Sequence, residues 1–316
     1  MSGIKLISTG SALPAQEATN FDLEKKVDTS DEWIVTRTGI KSRHYCGEGE
    51  SHLGLCLAAA RQALERAGIE PGQIGVCLVA TLTQDTMTPS AACVLQKELG
   101  LAEDTVCFDL NAACAGFVYG LHTAECLLAA SERKYGLVIG GEVLSRITDF
   151  TDRSTCVLFG DGAGAAIVRW GEDYPSLSAV MGSRGNSGVL YIPGVNTGDP
   201  SYIHMDGKEV FRFAVEVLPR CAKEVAAKAG ISLDEVDRFA FHQANQRILD
   251  HAIKKLKLDP AKCTGNIAHT GNTSAASVPI LLDQLVSSGQ LRSGQKVLCA
   301  GFGGGLTWAG ALLQLA

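Results

Sequence analysis

Apolar and polar positions follow one another along this chain in two rhythms. Short, largely apolar runs at residues 76–80, 135–139 and 296–300 read as buried strands. Longer stretches of helical character lie between such runs. Two of them close on the same signal, Ala67-Gly68-Ile69 and Ala229-Gly230-Ile231. Each predicts a helix C-terminus with glycine in the left-handed cap. Helices are also predicted over residues 89–99 and about 243–256. Alternating helices and short apolar strands are βα units, which predicts an α/β fold with a mostly parallel sheet covered on both faces.

The pattern occurs twice. The strand at 76–80 corresponds to 238–242, and the helix at 89–99 to the one at 243–256. Ala112-Ala113-Cys114-Ala115-Gly116-Phe117 corresponds to the segment running from Gly271 to Ser277. The strand at 135–139 corresponds to 296–300, and the run 164–170 to 308–315. Two similar halves are therefore expected, residues 1–170 and 171–316, meeting near Trp170. Insertions at roughly 143–157 and 183–210 distinguish them, and loops of that length in a compact domain usually carry function.

Composition narrows the classes. The chain has 316 residues, 46% hydrophobic and 20% charged, enough for a large core. A net charge of −6 argues against a general nucleic-acid footprint and against broad attraction to anionic membranes. The N-terminal residues lack the basic and apolar regions of a targeting segment. No apolar run is expected to reach the ~18 residues of a membrane span, so a soluble cytoplasmic protein is expected. Eleven cysteines are scattered without zinc spacing, which predicts no metal site and a reducing compartment where most thiols act as small buried hydrophobes.

Cys114 stands apart from the other ten. An apolar strand runs into small residues, the cysteine follows, and a helix opens. Small neighbours permit a sharp turn that exposes the sulfur. A helix start supplies free N–H groups and a positive dipole end, predicting a thiol drawn down from about 8.5 toward neutrality. His242 ends an apolar strand, and Asn272 precedes a second helix start. Polar groups at the carboxyl ends of parallel strands are where α/β sheets place their sites. Gly160-Asp161-Gly162-Ala163-Gly164-Ala165 fits a loose dinucleotide fingerprint, but a strand follows it rather than a helix, so dinucleotide binding is disfavoured. Gly303-Gly304-Gly305 lacks the Lys-Ser/Thr of a P-loop. It suits close backbone approach and N–H donation to an oxyanion.

Taken together, these segments resemble β-ketoacyl-acyl-carrier-protein synthase III, a family of the thiolase superfamily. The resemblance runs from Thr29-Ser30-Asp31-Glu32-Trp33 to Gly303-Gly304-Gly305-Leu306-Thr307-Trp308. Elongating ketosynthases use a second histidine where Asn272 stands, and thiolases a second cysteine where Phe302-Gly303-Gly304 stand. Thr270 departs from the aromatic residue or histidine frequent there. The resemblance implies a thiolase-like layered α-β-α-β-α architecture of two duplicated halves, and a dimer. It implies that Cys114 takes an acyl group from acyl-CoA, with the backbone N–H groups of Cys114 and Gly304 as oxyanion donors. His242 and Asn272 would then stabilise the enolate left when malonyl-acyl-carrier protein loses CO₂, and that carbanion attacks the acyl-cysteine. Coenzyme A is a substrate here, and no cofactor is implied.

The resemblance also places CoA recognition on Thr29, Trp33, Arg37, Arg153, Gly207, Phe211 and Asn245, with Trp33 and Arg153 sandwiching adenine. Acyl-carrier proteins are acidic, so docking on an acidic enzyme needs a local basic face. Arg247, His251, Lys254 and Lys255 follow helical spacing opposite Leu249, Ala252, Ile253 and Leu256, and Arg212 joins them. Thr88 occupies the position that reaches the acyl pocket near the partner subunit. Threonine there predicts room for primers longer than acetyl. A rival expectation is a related CoA-dependent condensing or acyl-transfer enzyme of secondary metabolism. A catalytically silent acyl-binding relative is disfavoured by the intact Cys114, His242 and Asn272.

Overall fold

The computed structural model describes residues 2–194 and 200–316. The first half contains β1 (Gly3–Ala12), a small ribbon of β2 (Gln16–Thr19) and β3 (Ser42–Tyr45) flanking α1 (Asn20–Glu24) and α2 (Asp31–Thr38), then α3 (His52–Ala67), β4 (Ile74–Ala80), α4 (Ala91–Leu99), β5 (Val106–Leu110), α5 (Gly116–Ala130), β6 (Tyr135–Glu142), α6 (Arg153–Cys156) and β7 (Gly162–Gly171). The second half contains β8 (Val180–Ser183), a short pair β9 (Leu190–Tyr191) and β10 (His204–Met205), then α7 (Gly207–Ala229), β11 (Arg238–Phe241), α8 (Gln246–Leu256), α9 (Ile267–Thr270), α10 (Ser277–Ser287), β12 (Lys296–Gly303) and β13 (Thr307–Gln314). Gly68 and Gly230 cap α3 and α7 at φ +63° and +69°, as the two Ala-Gly-Ile signals predict.

One sheet has the order β1-β7-β6-β4-β5 and the other β8-β13-β12-β11. The orders coincide strand for strand, except that β5 has no counterpart among the described elements. Helices α3 and α4 cover the outer face of the first sheet, α7 and α8 that of the second, and α5 and α10 lie between the sheets. That is the layered α-β-α-β-α arrangement, and it explains the predominantly apolar α5. Phe117, Val118, Leu121, Ala124 and Leu128 are buried there. Each of the larger ones contributes about 1.5–3 kcal/mol by leaving water.

Two expectations need correction. The sheets are mixed: β4–β5, β4–β6 and β11–β12 are parallel, but β1–β7, β6–β7, β12–β13 and β13–β8 are antiparallel. The three residues between β12 and β13 are too few for the crossover a parallel neighbour requires. The stretch Ala113–Ala130 does reach 18 residues and is apolar enough to cross a membrane by length and composition. Its position between two sheets accounts for that, since a helix packed on both sides is largely apolar. Most of the cysteines are buried, as expected, six of the eleven, while Cys93 and Cys126 are exposed. Part of the 183–210 insertion, residues 195–199, lies outside the described residues. The chain's end returns to its beginning: Leu315 bridges Leu6, and the Ala316 N–H donates to the Leu6 carbonyl at 2.8 Å.

Candidate active site

Both halves build the same turn between the sheets. The Asn111 Oδ1 accepts the Ala113 N–H at 3.1 Å, Ala113 sits at φ +47°, and a single 3-10 turn (Ala113–Ala115) leads into α5. In the second half Asn272 Oδ1 accepts the Ser274 N–H at 2.9 Å, Ser274 sits at φ +49°, and the turn Ser274–Ala276 leads into α10. Cys114 thus sits inside one turn and Asn272 two residues ahead of the other, and the two turns touch. Asn272 is further fixed by its backbone, which accepts the Gly160 N–H at 3.0 Å and donates to the Leu158 carbonyl at 2.9 Å.

The glycines of β12 lie against Cys114. A Cβ on Gly301 would fall 2.8 Å from the Cys114 carbonyl oxygen, and one on Gly303 would fall 2.7 Å from the Cys114 nitrogen. Glycine is therefore obligatory at both positions. Gly304 follows over the same turn, where a Cβ would stand 3.7 Å from that of Ala113. Thr307 ties the hairpin down, its hydroxyl donating to the Ala112 carbonyl at 2.9 Å. His242 follows β11, its N–H donating to the Ala300 carbonyl at 2.8 Å, and its ring meets Phe302 edge-on at 5.3 Å.

Electrostatics in the site run partly against expectation. Burial pushes the Cys114 thiol up to about 12, and the charge of Glu142 adds to the rise, while a hydrogen bond with Ser274 opposes it. The predicted depression fails because α5 begins only at Gly116, beyond the 3-10 turn, and the sulfur is shielded from water. His242 is pulled down to about 3 by burial alone, so its imidazole is neutral. Its Nδ1 is buried without a hydrogen-bond partner among the described residues.

Cys114, His242 and Asn272 line one cavity of about 1350 Å³, larger than the usual range of small-molecule sites. Gly304, Trp33, Arg37, Gly207, Phe211, Arg212, Asn245 and Arg247 line it as well. Both ends of the Asn245 amide are engaged, Oδ1 by the Arg247 N–H at 2.9 Å and Nδ2 by the Arg37 carbonyl at 3.1 Å, so it joins α2 to α8. Thr29 and Arg153 fall outside the lining. Thr29 Oγ1 is buried without a hydrogen-bond partner among the described residues, and Arg153 rests directly on the Trp33 ring, 5.0 Å from its centre. A base stacked between that pair must part it by about one ring thickness, ~3.5 Å. Thr88 is exposed and outside the lining, whereas its neighbour Met87 contributes. Lys254 and Lys255 are exposed on α8, away from the cavity wall.

Sequence reasoning passed over Ser274 and Glu142. Glu142 ends the apolar strand β6, the same strand-end signal that singled out His242, and could have been found that way.

Residues 108–185 match the family described as 3-oxoacyl-[acyl-carrier-protein (ACP)] synthase III, and residues 226–315 match its C-terminal counterpart. The beta-ketoacyl-[acyl-carrier-protein] synthase III of Clostridium acetobutylicum is 44% identical over 325 residues, covering 99% of both chains. The crystal structure of 3-oxoacyl-[acyl-carrier-protein] synthase III from Aquifex aeolicus superposes with a TM-score of 0.93 at 43% identity, covering 99% of this chain and 100% of that one. The priming β-ketosynthase of the R1128 polyketide biosynthetic pathway superposes with a TM-score of 0.94 at 37% identity, covering 99% and 96%.

Proposed function

The chain belongs to the β-ketoacyl-acyl-carrier-protein synthase III family, and from that premise we propose how its residues divide the reaction. The enzyme is an acyltransferase that initiates fatty-acid synthesis by condensing an acyl-CoA primer with malonyl-acyl-carrier protein. In the first half-reaction the Cys114 sulfur attacks the thioester and CoA leaves. Backbone N–H groups of Cys114 and Gly304 hold the tetrahedral oxyanion. In the second, loss of CO₂ leaves an enolate that accepts hydrogen bonds from His242 and Asn272, and this carbanion displaces sulfur from the acyl group. Asn272 suits its role because the Ser274 N–H occupies its Oδ1, leaving Nδ2 to donate. His242 suits its role because a neutral imidazole carries one N–H and neutralises no carboxylate.

The wider reading has separate supports. Residues 1–170 are assigned as the half that carries the nucleophile and 171–316 as the half that carries the enolate donors. The partner is a second copy of this chain, added at β5, an edge strand that exposes Val106 and Phe108. CoA enters past Trp33, Arg37 and Arg153, and the acyl-carrier protein docks on α8 with Arg247, Lys254, Lys255 and, beside them, Arg212. A thiol nucleophile among eleven free cysteines suits the reducing cytoplasm.

The observation that carries this reading is the convergence of Cys114, His242 and Asn272 on one cavity. Mixing the enzyme with acetyl-CoA and mapping the adduct by mass spectrometry tests it. An acetyl group on Cys114, absent from Cys114→Ala, is expected. Acetylation of another cysteine in that variant would overturn the assignment.

A further inference from the structure

A carboxylate lies fully buried at the end of β6, and neither half-reaction uses it. Glu142 accepts the Thr83 hydroxyl at 2.6 Å, the Leu82 N–H at 3.2 Å and the Thr81 hydroxyl at 3.3 Å, all on Oε2. Its other oxygen, Oε1, accepts the Ser274 hydroxyl at 3.2 Å. These donors compensate the burial of a charged group. Those on Oε2 come from the loop after β4 in the first half, and the one on Oε1 comes from the turn that follows Asn272 in the second.

The duplication shows what the bond between the halves adds. The ends of β6 and β12 correspond, Gly140 to Gly301 and Glu142 to Gly303. Gly301 and Gly303 press on the turn that holds Cys114. Gly140 presses on the turn after Asn272 in the same way, since a Cβ there would fall 2.2 Å from the Ala275 carbonyl oxygen. The two ends then differ. Glu142 brings a carboxylate where Gly303 has no side chain, and Ser274 brings a hydroxyl where the corresponding Ala113 has none. Ala113 takes the same left-handed conformation, φ +47° against +49°, so the turn itself does not call for serine. Hydroxyl and carboxylate occur together, and only at the turn next to Asn272.

Asn272 has an orientation to keep. An amide has an acceptor end and a donor end of nearly the same shape, and only its neighbours choose between them. The Ser274 N–H makes that choice by holding Oδ1 at 2.9 Å. This N–H belongs to a side-chain-bearing residue in left-handed backbone, a conformation that needs support from outside. The Asn272 backbone is tied to Leu158 and Gly160 on one side, and on the other the Ser277 hydroxyl accepts the Gln243 N–H at 2.7 Å. Ser274 lies between these ties, and its hydroxyl is anchored on Glu142. We propose that Glu142 is a positioning residue for malonyl decarboxylation: through the Ser274 hydroxyl it holds the Asn272 amide with its oxygen engaged and its Nδ2 presented to the enolate. This rests on Asn272 being an enolate donor. Without the anchor the turn relaxes, the amide turns over part of the time, and its oxygen then meets the negative oxygen that Nδ2 should serve.

Separate assays of the two half-reactions test this. Ser274→Ala should fold, because alanine already occupies the equivalent left-handed position as Ala113. It should lower kcat for decarboxylation of malonyl-acyl-carrier protein roughly tenfold, the scale of one lost hydrogen bond, with KM unchanged. Acylation of Cys114 by acetyl-CoA, read by intact-protein mass spectrometry, should stay within about twofold. In an Asn272→Ala background the same substitution should cost less than about twofold, because no amide is left to orient. Glu142→Ala should match Ser274→Ala, and Glu142→Gln should recover most of the loss. Its amide oxygen can serve the Thr81, Leu82 and Thr83 donors while its NH₂ donates to the serine hydroxyl. Ser274→Ala carries the test even if Glu142→Ala does not fold. Wild-type decarboxylation in Ser274→Ala would overturn the proposal. So would equal losses in both half-reactions, or a loss that persists without Asn272, since general disruption of the site gives both. Full decarboxylation by Asn272→Ala alone would instead overturn the donor assignment.

Discussion

His242 and Asn272 are both hydrogen-bond donors, and their surroundings keep them so. With its folded value near 3 against an ordinary 6.5, His242 refuses a proton across the whole neutral and mildly acid range. Malonyl decarboxylation should therefore stay flat as pH falls to about 5, since protonation begins only near the folded value. His242→Ala and Asn272→Ala should each cut decarboxylation by roughly 10²–10³-fold, while acylation falls much less because backbone groups hold its oxyanion. Separate assays of the two half-reactions decide this, and equal losses in both would refute the division. These residues were legible in the sequence because each stands at a strand end or a helix start. Ser274 was not, because it is one small residue in a run of small residues. Its contact with Glu142 exists only once the end of β6 meets a turn distant in sequence.

Helix α8 is where one element serves two purposes. Ile248, Leu249, Ala252 and Leu256 are buried against the second sheet, with Ile248 taking the place expected of the half-buried Ile253. The opposite side presents Arg247, His251, Lys254 and Lys255. Arg212, on α7, is tied to Glu209 at 2.8 and 3.0 Å, so its charge is partly spent locally. Lys254→Glu with Lys255→Glu should raise KM for malonyl-acyl-carrier protein about tenfold, the order expected when surface attractions become repulsions. The salt dependence should weaken too, and acylation by acetyl-CoA should hardly change. Equal losses with both substrates would show that the carrier docks elsewhere. At this scale the sequence reports helix ends well, because glycine caps are local. It reports strand direction poorly, because direction depends on whether a connection is long enough to cross the sheet.

The complete molecule decides how long a primer the enzyme takes. Thr88 is exposed and stands clear of the cavity of its own chain. Met87 beside it is 78% exposed. An exposed side chain reaches an acyl group only if a second copy brings its own site to it, the arrangement the proposed pairing at β5 is expected to give. Threonine leaves space there, and each buried methylene gains about 0.8 kcal/mol. The enzyme should therefore use acyl-CoA primers longer than acetyl, and Thr88→Phe should narrow it toward acetyl-CoA. Measuring kcat/KM across a series of chain lengths for both proteins tests this, and an unmutated enzyme strict for acetyl-CoA would contradict it. A different constraint follows from Gly301 and Gly303, which press β12 onto the nucleophile turn from almost the far end of the chain. On the ribosome the segment bearing Cys114 emerges long before those glycines do. A growing chain thus carries the Cys114 thiol well before the backbone of Gly301 and Gly303 can close over it, and any acylation that needs both must wait until β12 has formed.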